Sequence, residues 1–213
     1  MQISLQSIIP FPLKETQTSV SQIWGRDISF NSQNTYLISA ASGTGKTTLL
    51  HCIYGLRTDY EGILSISNQD ISTLSQHEIL TWRRNKLSIV PQGLVLFDSL
   101  SFMENILLKN RLTKFKTQDE IVEMTHQLGM SAHINQQTKT LSYGQKQRLA
   151  ILRALCQPFE FLLLDEPFSH LDNSNINIAW QLVQKEAKKQ NAGIILTSLG
   201  NNDQLDFDQT IML

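Results

Sequence analysis

The residues best suited to chemistry in this sequence are a lysine within a run of small residues and a pair of carboxylates far downstream. The run, called the phosphate loop below, consists of Ala40, Ala41, Ser42, Gly43, Thr44, Gly45, Lys46, Thr47 and Thr48. It follows an apolar segment and opens a helical pattern, so its backbone N–H groups would meet phosphate oxygens at the positive end of a helix. We predict that Lys46 pairs with the β- and γ-phosphates of a ligand and that the Thr47 hydroxyl is a Mg²⁺ ligand.

One position of this loop departs from the phosphate-binding pattern. Ala40 stands where G-x-x-x-x-G-K-[ST] has its first glycine. Alanine tolerates this turn only with a negative φ, so we expect a small perturbation of the loop. An ordinary turn with a solvated lysine is the competing interpretation, and the flanking strand and helix patterns argue against it.

The two carboxylates, Asp165 and Glu166, come at the end of an all-apolar run. Such a run predicts a buried strand of a parallel sheet, and ligands of α/β proteins bind at the carboxyl ends of these strands. Asp165 is suited to hold Mg²⁺ through water, and Glu166 to polarise an attacking water as a general base. Solvated acids at a strand end are the alternative, but Pro167 keeps the pair out of a helix.

Strands and helices alternate along the chain, which predicts an α/β fold. We expect strands over 35–39, 62–67, 87–90, 161–165 and 193–198, and helices over 47–56, 142–155 and 176–190. The turn-rich start is expected to be antiparallel, and 93–140 is expected to be a helical insertion. Its predicted buried positions are Met103, Ile106, Leu107, Ile121, Val122, Met124 and Leu128.

Composition restricts the partners and the compartment. The net charge of −1 gives no electrostatic reason to expect nucleic-acid binding. No apolar run approaches the roughly 20 residues of a membrane span, and the start lacks the pattern of a signal peptide. Cys52 and Cys156 are far apart and fall in helical patterns, so we expect buried, reduced thiols and a cytoplasmic protein.

A third motif lies between the phosphate loop and the carboxylates. The segment 141–148 reads LSYGQKQR and resembles the LSGGQ-x-Q-R signature of ATP-binding-cassette (ABC) ATPases. Ser142 is placed to cap a helix, and Ser142, Gly144 and Gln145 match the signature, whereas Tyr143 replaces a glycine. The resemblance implies a second phosphate site, and therefore two chains that sandwich ATP between them.

Further segments carry the resemblance along the chain. Gln92 matches the family's γ-phosphate- and Mg²⁺-sensing glutamine, and Asp172 lies in a segment similar to the loop that crosses the dimer interface. Phe11 lies where the family often has an adenine-stacking aromatic, although Leu13 or Trp24 would also serve. Ser198 occupies the position of the family's γ-phosphate-contacting histidine.

The resemblance implies a P-loop NTPase fold of the ABC-ATPase type, with a mostly parallel core and an antiparallel subdomain in 1–92 and 141–213, and a helical subdomain in 93–140. It also implies an ATPase subunit, peripheral on the inner face of the membrane, that forms a homodimer or heterodimer and powers a membrane-spanning transporter subunit. The segment 70–92 is similar to the branch for lipoprotein release, macrolide export and cell division. A soluble assembly ATPase of the iron–sulfur type, or a weakly hydrolysing scaffold, remains an alternative.

Overall fold

Residues 1–14, 21–199 and 205–213 are described by the computed structural model, and within them the backbone forms an antiparallel sheet, a parallel sheet and packed helices. The strands are β1 (Gln2–Pro10), β2 (Ile28–Asn31), β3 (Thr35–Ser39), β4 (Tyr60–Ile66), β5 (Gln69–Asp70), β6 (Leu87–Val90), β7 (Phe161–Asp165), β8 (Gly193–Ser198) and β9 (Gln209–Met212). The helices are α1 (Lys46–Ile53), α2 (Gln76–Asn85), α3 (Phe102–Asn110), α4 (Gln118–Gln127), α5 (Tyr143–Leu155) and α6 (Asn173–Lys189).

The parallel sheet has the strand order β6-β7-β8-β3-β9, and every neighbouring pair is parallel. All residues of β7 and β8 are buried, as the unbroken apolar runs predict. The register places Asp165 opposite Thr197, and Ser39 opposite Ser198. The carboxyl ends of these strands therefore bring the phosphate loop, the carboxylates and the end of β8 to one edge.

The antiparallel sheet, predicted from the turn-rich start, has the order β2-β1-β4-β5. Its inner face supplies Ile3, Phe30 and Leu64 to a core shared with α1. Phe30 packs edge-to-face on Tyr36 with ring centroids 5.0 Å apart, and the Tyr36 hydroxyl accepts a hydrogen bond from Asn31 N. This aromatic pair joins the antiparallel sheet to β3, which leads into the phosphate loop.

The helical insertion differs from the continuous amphipathic pattern predicted over 93–140. Leu94 and Val95 have φ of 58° and 49°, so a turn precedes α3. Capping boxes with Ser101 and Thr117 as N-caps then start α3 and α4. Of the predicted buried set, Ile106, Ile121, Met124 and Leu128 are buried and Met103 and Leu107 are partly buried.

The prediction for Val122 was wrong, since this side chain is 42% exposed. Ile121, Met124 and Thr125 form the buried face of α4. Val122 follows Ile121 by about 100° around the helix, which turns it away from that face.

A buried ion pair ties the insertion to α6. Lys116 Nζ lies 2.6 Å from Glu186 Oε2, and the side chains are 5% and 1% exposed. Lys189 also contacts Glu186, at 2.6 Å. The Asn110 side chain holds the Lys116 backbone by accepting from its N–H and donating to its carbonyl. Both charges are therefore satisfied at a joint that connects α3 and α4 to the core.

Two helix ends differ from their predicted positions, and local structure explains both differences. Helix α1 ends at Ile53 because Gly55 adopts a φ of 71°, and α6 begins at Asn173 because the Asp172 side chain accepts from Asn175 N. Cys52 and Cys156 are free and buried, as predicted. In the ranges that the structure describes, no helix combines the length and apolarity needed to cross a membrane.

Candidate functional site

The phosphate loop connects β3 to α1, and its geometry depends on two glycines. Gly43 and Gly45 have φ of 81° and 103°, a region that favours glycine. Ala40 is buried and is outside the positive-φ residues, so alanine is tolerated here as predicted. Its N–H donates to the Ser198 carbonyl at 3.3 Å, which anchors the start of the loop to β8.

Lys46 lies inside the loop with its ammonium group fully engaged. Its Nζ donates to the carbonyls of Ala40 and Ala41 at 3.0 and 2.9 Å, and it lies 3.4 Å from Glu166 Oε1. The side chain is 5% exposed. The cation therefore sits at the floor of a shallow cavity of about 210 Å³ that is lined by Ser42, Gly43, Gly45, Lys46, Thr47, Thr48, Gln92 and Glu166.

Asp165 is buried next to this cavity, behind Thr47. Its carboxylate accepts from the Thr47 hydroxyl at 2.7 Å and from the Thr197 hydroxyl at 2.8 Å. A hydroxyl and a carboxylate are the hard oxygen ligands that Mg²⁺ prefers. The described residues contain no cluster of three or more His, Cys, Asp or Glu residues that would hold a metal by themselves. This donor set fits Mg²⁺ bound together with phosphate oxygens.

Glu166 has a strained backbone at the centre of the site. Its φ is 48°, unusual for a residue with a side chain, and its N–H donates to the Thr197 carbonyl at 3.2 Å. Gln92 Nε2 approaches the other carboxylate oxygen at 3.4 Å. The structure thus brings Lys46 and Gln92 to the two oxygens of the same carboxylate.

Sequence reasoning missed two residues that position this cluster. Thr197 bonds Asp165 and lies against the Glu166 N–H, and the parallel register of β7 and β8 would have revealed it. Trp24 is buried, and its indole Nε1 donates to the carbonyl of Thr44 at 3.1 Å. A Cβ on Gly45 would lie 3.1 Å from the Trp24 ring and 2.8 Å from Leu13, so both side chains pack against the loop.

This placement separates the three candidates for adenine stacking. Trp24 and Leu13 are packed beneath the phosphate loop. Phe11 is 51% exposed, and the Lys14 ammonium lies 4.7 Å from its ring centroid. Among the three, Phe11 is the one that presents an aromatic face to solvent.

The signature residues lie outside the phosphate cavity, at the start of α5. Ser142 and Gln145 form a capping box, in which Gln145 N donates to Ser142 Oγ and Ser142 N donates to Gln145 Oε1. Tyr143 is 45% exposed, and its hydroxyl donates to the Gln92 carbonyl at 3.4 Å. This bond links the signature to Gln92, which lines the cavity.

The loop after Glu166 packs tightly on this helix start. The Tyr143 and His170 rings are 4.2 Å apart, and a Cβ on Gly144 would lie 3.0 Å from the His170 carbonyl. The buried Gln147 amide donates to Ser169 Oγ and accepts from His170 N. Asp172, at the end of the loop, caps α6.

Ser198 ends β8 beside the phosphate loop and is 9% exposed. Its carbonyl holds Ala40 N, so its backbone has a structural function in the loop. Leu199, the next residue, is 55% exposed. The serine predicted to replace a histidine therefore lies at the rim of the site, on the side of the phosphate loop.

Comparison with known proteins gives consistent matches. Residues 25–169 match the family described as "ABC transporter". The trimethylamine N-oxide transport system ATP-binding protein of Pelagibacter ubique is 38% identical over 139 residues, which cover 64% of this chain and 41% of that protein. The lipoprotein-releasing system ATP-binding protein of Legionella pneumophila is 25% identical and covers 92% of this chain and 88% of its own length. The chain spans about half the length of several other curated relatives.

Solved structures match the fold over nearly the whole chain. The dimeric structure of the bacterial ABC transporter cassette MJ0796 superposes with a TM-score of 0.80 at 24% identity, over 94% of this chain and 89% of that one. A bacterial Atm1-family ABC exporter with ATP bound also gives a TM-score of 0.80, at 20% identity, and this chain covers 37% of it. The predicted α/β cassette fold is confirmed.

Proposed function

Because the chain belongs to the ABC transporter family, we propose that it binds and hydrolyses ATP to power a separate membrane-spanning transporter subunit. The observation that carries this proposal is the cluster in which Lys46 and Gln92 both approach Glu166 while Thr47 bonds Asp165. Residues of the phosphate loop and the proposed general base line one cavity, and Asp165 bonds Thr47 in its wall. Phosphoryl transfer to water requires these groups in this proximity.

In this proposal the residues in and beside the cavity have separate roles in ATP hydrolysis. The phosphate loop binds the phosphates through its backbone N–H groups, and Lys46 exchanges its contacts with loop carbonyls and Glu166 for phosphate oxygens. Glu166, released from Lys46, orients and deprotonates the attacking water, with Gln92 holding the carboxylate. Thr47 and Asp165 hold Mg²⁺, which neutralises charge on the phosphate oxygens when bound. Phe11 is the proposed contact for adenine.

The signature residues are assigned to a second copy or a related cassette. Ser142, Tyr143 and Gly144 lie at an accessible helix start away from this chain's own phosphate cavity. A helix start with free N–H groups suits a phosphate. The relative MJ0796 has a dimeric structure, which supports an arrangement in which each chain completes the other's site, with Asp172 near the interface. Either a homodimer or a heterodimer fits this arrangement.

Ser198 makes slow hydrolysis part of the proposal. A serine hydroxyl is shorter than an imidazole and carries no charge at accessible pH. Losing one contact to the transition state commonly slows a reaction by about 10²–10³. The proposed partner is either a cassette with a faster site or a second copy whose cycle is tuned to a slow transporter.

We propose that the chain is cytoplasmic and binds its membrane partner at the inner face of the membrane. The lipoprotein-releasing relative, matched over 88% of its length, supports the branch that the segment 70–92 indicated. Partner binding is assigned to the surface between the parallel-sheet core and the helical insertion, because residues on both sides of Gln92 line it. Movement of that surface would reach the catalytic carboxylate through Gln92.

The test is capture of the transporter with a hydrolysis-deficient variant. Glu166→Gln should bind ATP normally, lose hydrolysis and form a stable dimer, since the variant keeps the hydrogen bonds but lacks the base. From detergent-solubilised host membranes it should co-purify with a multi-span membrane protein in fixed stoichiometry. A matched Lys46→Ala variant, which loses the phosphate contact, should form no stable dimer and should not co-purify with the membrane protein. Recovery of soluble partners alone would favour the assembly ATPase, and recovery of no partner would favour the scaffold.

A further inference from the structure

A cavity of about 480 Å³ lies between α2 and the turn that follows α3. Its lining residues come from α2, from the turn at 112–115 and from Pro158. None of them lines the phosphate cavity or the surface on both sides of Gln92. The cavity is therefore separate from the nucleotide site and from the surface assigned to the membrane partner.

Hydrogen-bonding residues line this cavity without a carboxylate. They include His77, Arg84, Asn85 and Thr113, and the lining residues in the described ranges include no Asp or Glu. The Arg84 guanidinium donates to the Leu112 carbonyl and forms no salt bridge within the described part of the chain. A guanidinium carries several N–H donors in a planar fork, so most of those of Arg84 remain available. This lining favours an anion.

The hydroxyl of Thr113 is an unsatisfied polar group at the same place. Thr113 Oγ1 is buried and has no hydrogen-bond partner among the described residues. Leaving a buried hydroxyl unpaired is destabilising, and such groups are rare in folded proteins. Because Thr113 lines the cavity, an acceptor bound there would remove this cost once the side chain rotates about χ1 to meet it.

The turn that carries Thr113 is ordered before any ligand binds. The Asn110 side chain accepts from Lys116 N and donates to the Lys116 carbonyl, and Lys114 N donates to the Asn110 carbonyl at 2.6 Å. The Lys116 ammonium is held in turn by Glu186 at 2.6 Å. A ligand would therefore lose little affinity to ordering this side of the cavity.

Part of the cavity wall is apolar. Leu112 is 50% exposed, and Phe115 and Pro158 also line the cavity. The Lys116 ammonium lies 4.9 Å from the centroid of the Phe115 ring, which holds this ring at the turn. An exposed leucine beside a guanidinium favours a ligand that has an apolar group as well as a charge.

We propose that this cavity binds an amphiphilic phosphate, whose oxygens contact Arg84 and Thr113 and whose apolar group lies on Leu112. The planar fork of Arg84 matches two phosphate oxygens, and the Thr113 hydroxyl donates to another. His77 and Asn85 add further donors, which favours a phosphate over a carboxylate because a carboxylate has fewer oxygens to accept them. The inference goes beyond the proposed ATPase and does not depend on it.

An NMR titration of the ¹⁵N-labelled chain locates the site. The probe is hexyl phosphate, inorganic phosphate is the control without the apolar group, and heptanoate is the control with a carboxylate on the same chain. Hexyl phosphate should shift the backbone amides of Asn85 and Thr113 and bind at least about tenfold more tightly than either control. Shifts confined to the phosphate loop, or equal affinities for the three probes, overturn the proposal.

Variants then assign the contacts. Arg84→Gln should raise the Kd for hexyl phosphate at least about tenfold, and Arg84→Lys, which keeps the charge without the fork, by about threefold. Thr113→Val should raise this Kd about fivefold, yet leave the Tm of the free chain unchanged or higher, because it removes an unpaired hydroxyl. Lys46→Ala should weaken ATP binding but leave the Kd for hexyl phosphate unchanged.

The two possible failures are distinguishable. Equal affinity of Arg84→Gln and the unchanged chain for hexyl phosphate overturns this inference alone, with ATP binding by each variant showing that the chain is folded. Failure of the unchanged chain to bind ATP overturns the proposed function alone.

Vesicles distinguish a lipid headgroup from a soluble organic phosphate. If the phosphate belongs to a lipid, the unchanged chain should sediment with phosphatidylcholine vesicles that contain phosphatidic acid, and Arg84→Gln should not. Binding of hexyl phosphate without sedimentation assigns the site to a soluble phosphate. Binding to neither overturns the proposal.

Discussion

Replacing Lys109, a residue of α3, by methionine is expected to stabilise the chain. The ammonium group lies between the core and the helical insertion, in a cavity whose described lining residues include no Asp or Glu. Burial, together with the nearby Arg153 charge, lowers the pKa of Lys109 from the ordinary 10.5 to about 8. Methionine is similar in length, forms helices as readily as lysine, and carries no charge that must be desolvated. The substitution therefore isolates the cost of desolvating one charge.

The magnitude follows from the two pKa values. The difference between 10.5 and about 8 corresponds to roughly 3 kcal/mol of unfavourable free energy for the protonated group in the folded chain. Lys109 keeps partial access to water, so we expect about half of this, on the order of 1–2 kcal/mol. For a chain of 213 residues this raises Tm by about 3–6 °C.

The pH dependence gives the sign of the effect. Below pH 8 Lys109 is protonated in both the folded and the unfolded chain. The unfavourable free energy of the buried charge is then fully present, so the methionine variant has its largest advantage in unfolding free energy. Between pH 8 and 10.5 the unfolded chain binds the proton that the folded chain has lost, so the unfolding free energy of the unchanged chain rises relative to the variant. Above this window the advantage of the variant should disappear.

Urea unfolding of both proteins at pH 7 and pH 10 measures these differences. Lys188→Met, an exposed position on α6, is the matched control and should change the unfolding free energy by less than about 0.5 kcal/mol. A Lys109→Met variant that is less stable at pH 7, or an advantage that stays constant to pH 10, would refute the reasoning. Either result would mean that the cation already has a partner within the chain.

Three further measurements test other parts of the molecule. Trp24→Phe removes the indole hydrogen bond to the phosphate loop and should weaken ATP binding about fivefold, as measured with a fluorescent nucleotide. The control Trp82→Phe should leave ATP affinity unchanged. Equal ATP affinities of Trp24→Phe and the unchanged chain would show that packing alone holds the loop. Ser198→His should raise the steady-state ATPase rate at least about tenfold with unchanged ATP affinity, and an unchanged rate would remove Ser198 as the limit. Burial raises the pKa of Cys52 and Cys156 to about 12, so at pH 8 both thiols should react with Ellman's reagent only after unfolding, and rapid reaction of the native chain would contradict their burial.

The parts of the fold that were predictable are those in which local pattern and burial agree. The apolar run of β7 and the small residues before Lys46 predict a strand and a phosphate loop, and both occur where expected. The turn at Leu94 and Val95 was not predictable, because an apolar leucine and a β-branched valine are not residues that indicate positive φ. Tertiary contacts, including the Arg153 bond, hold that turn against local preference.

In the candidate site, too, some residues were predictable from the sequence and others were not. Thr47, Asp165 and Glu166 were identified from residue type and position, and the structure places them together. Trp24 was not identified as a support of the phosphate loop, because its partner is a backbone carbonyl 20 residues away and no side-chain pattern records it. The proposal of Phe11 as the adenine contact likewise rests on exposure, which distinguishes Phe11 from Trp24 only once the chain is folded.

The Gln147 amide has a consequence for association with a second chain. By donating to Ser169 and accepting from His170 N, it joins the start of α5 to the loop that follows Glu166. Both segments belong to the surface proposed to meet another cassette. The two hydrogen bonds of Gln147 hold these segments in place before the chains associate. Association then loses little conformational entropy at these segments, so more of the contact free energy remains available as affinity. Closure of the pair is in this respect a docking of preformed surfaces.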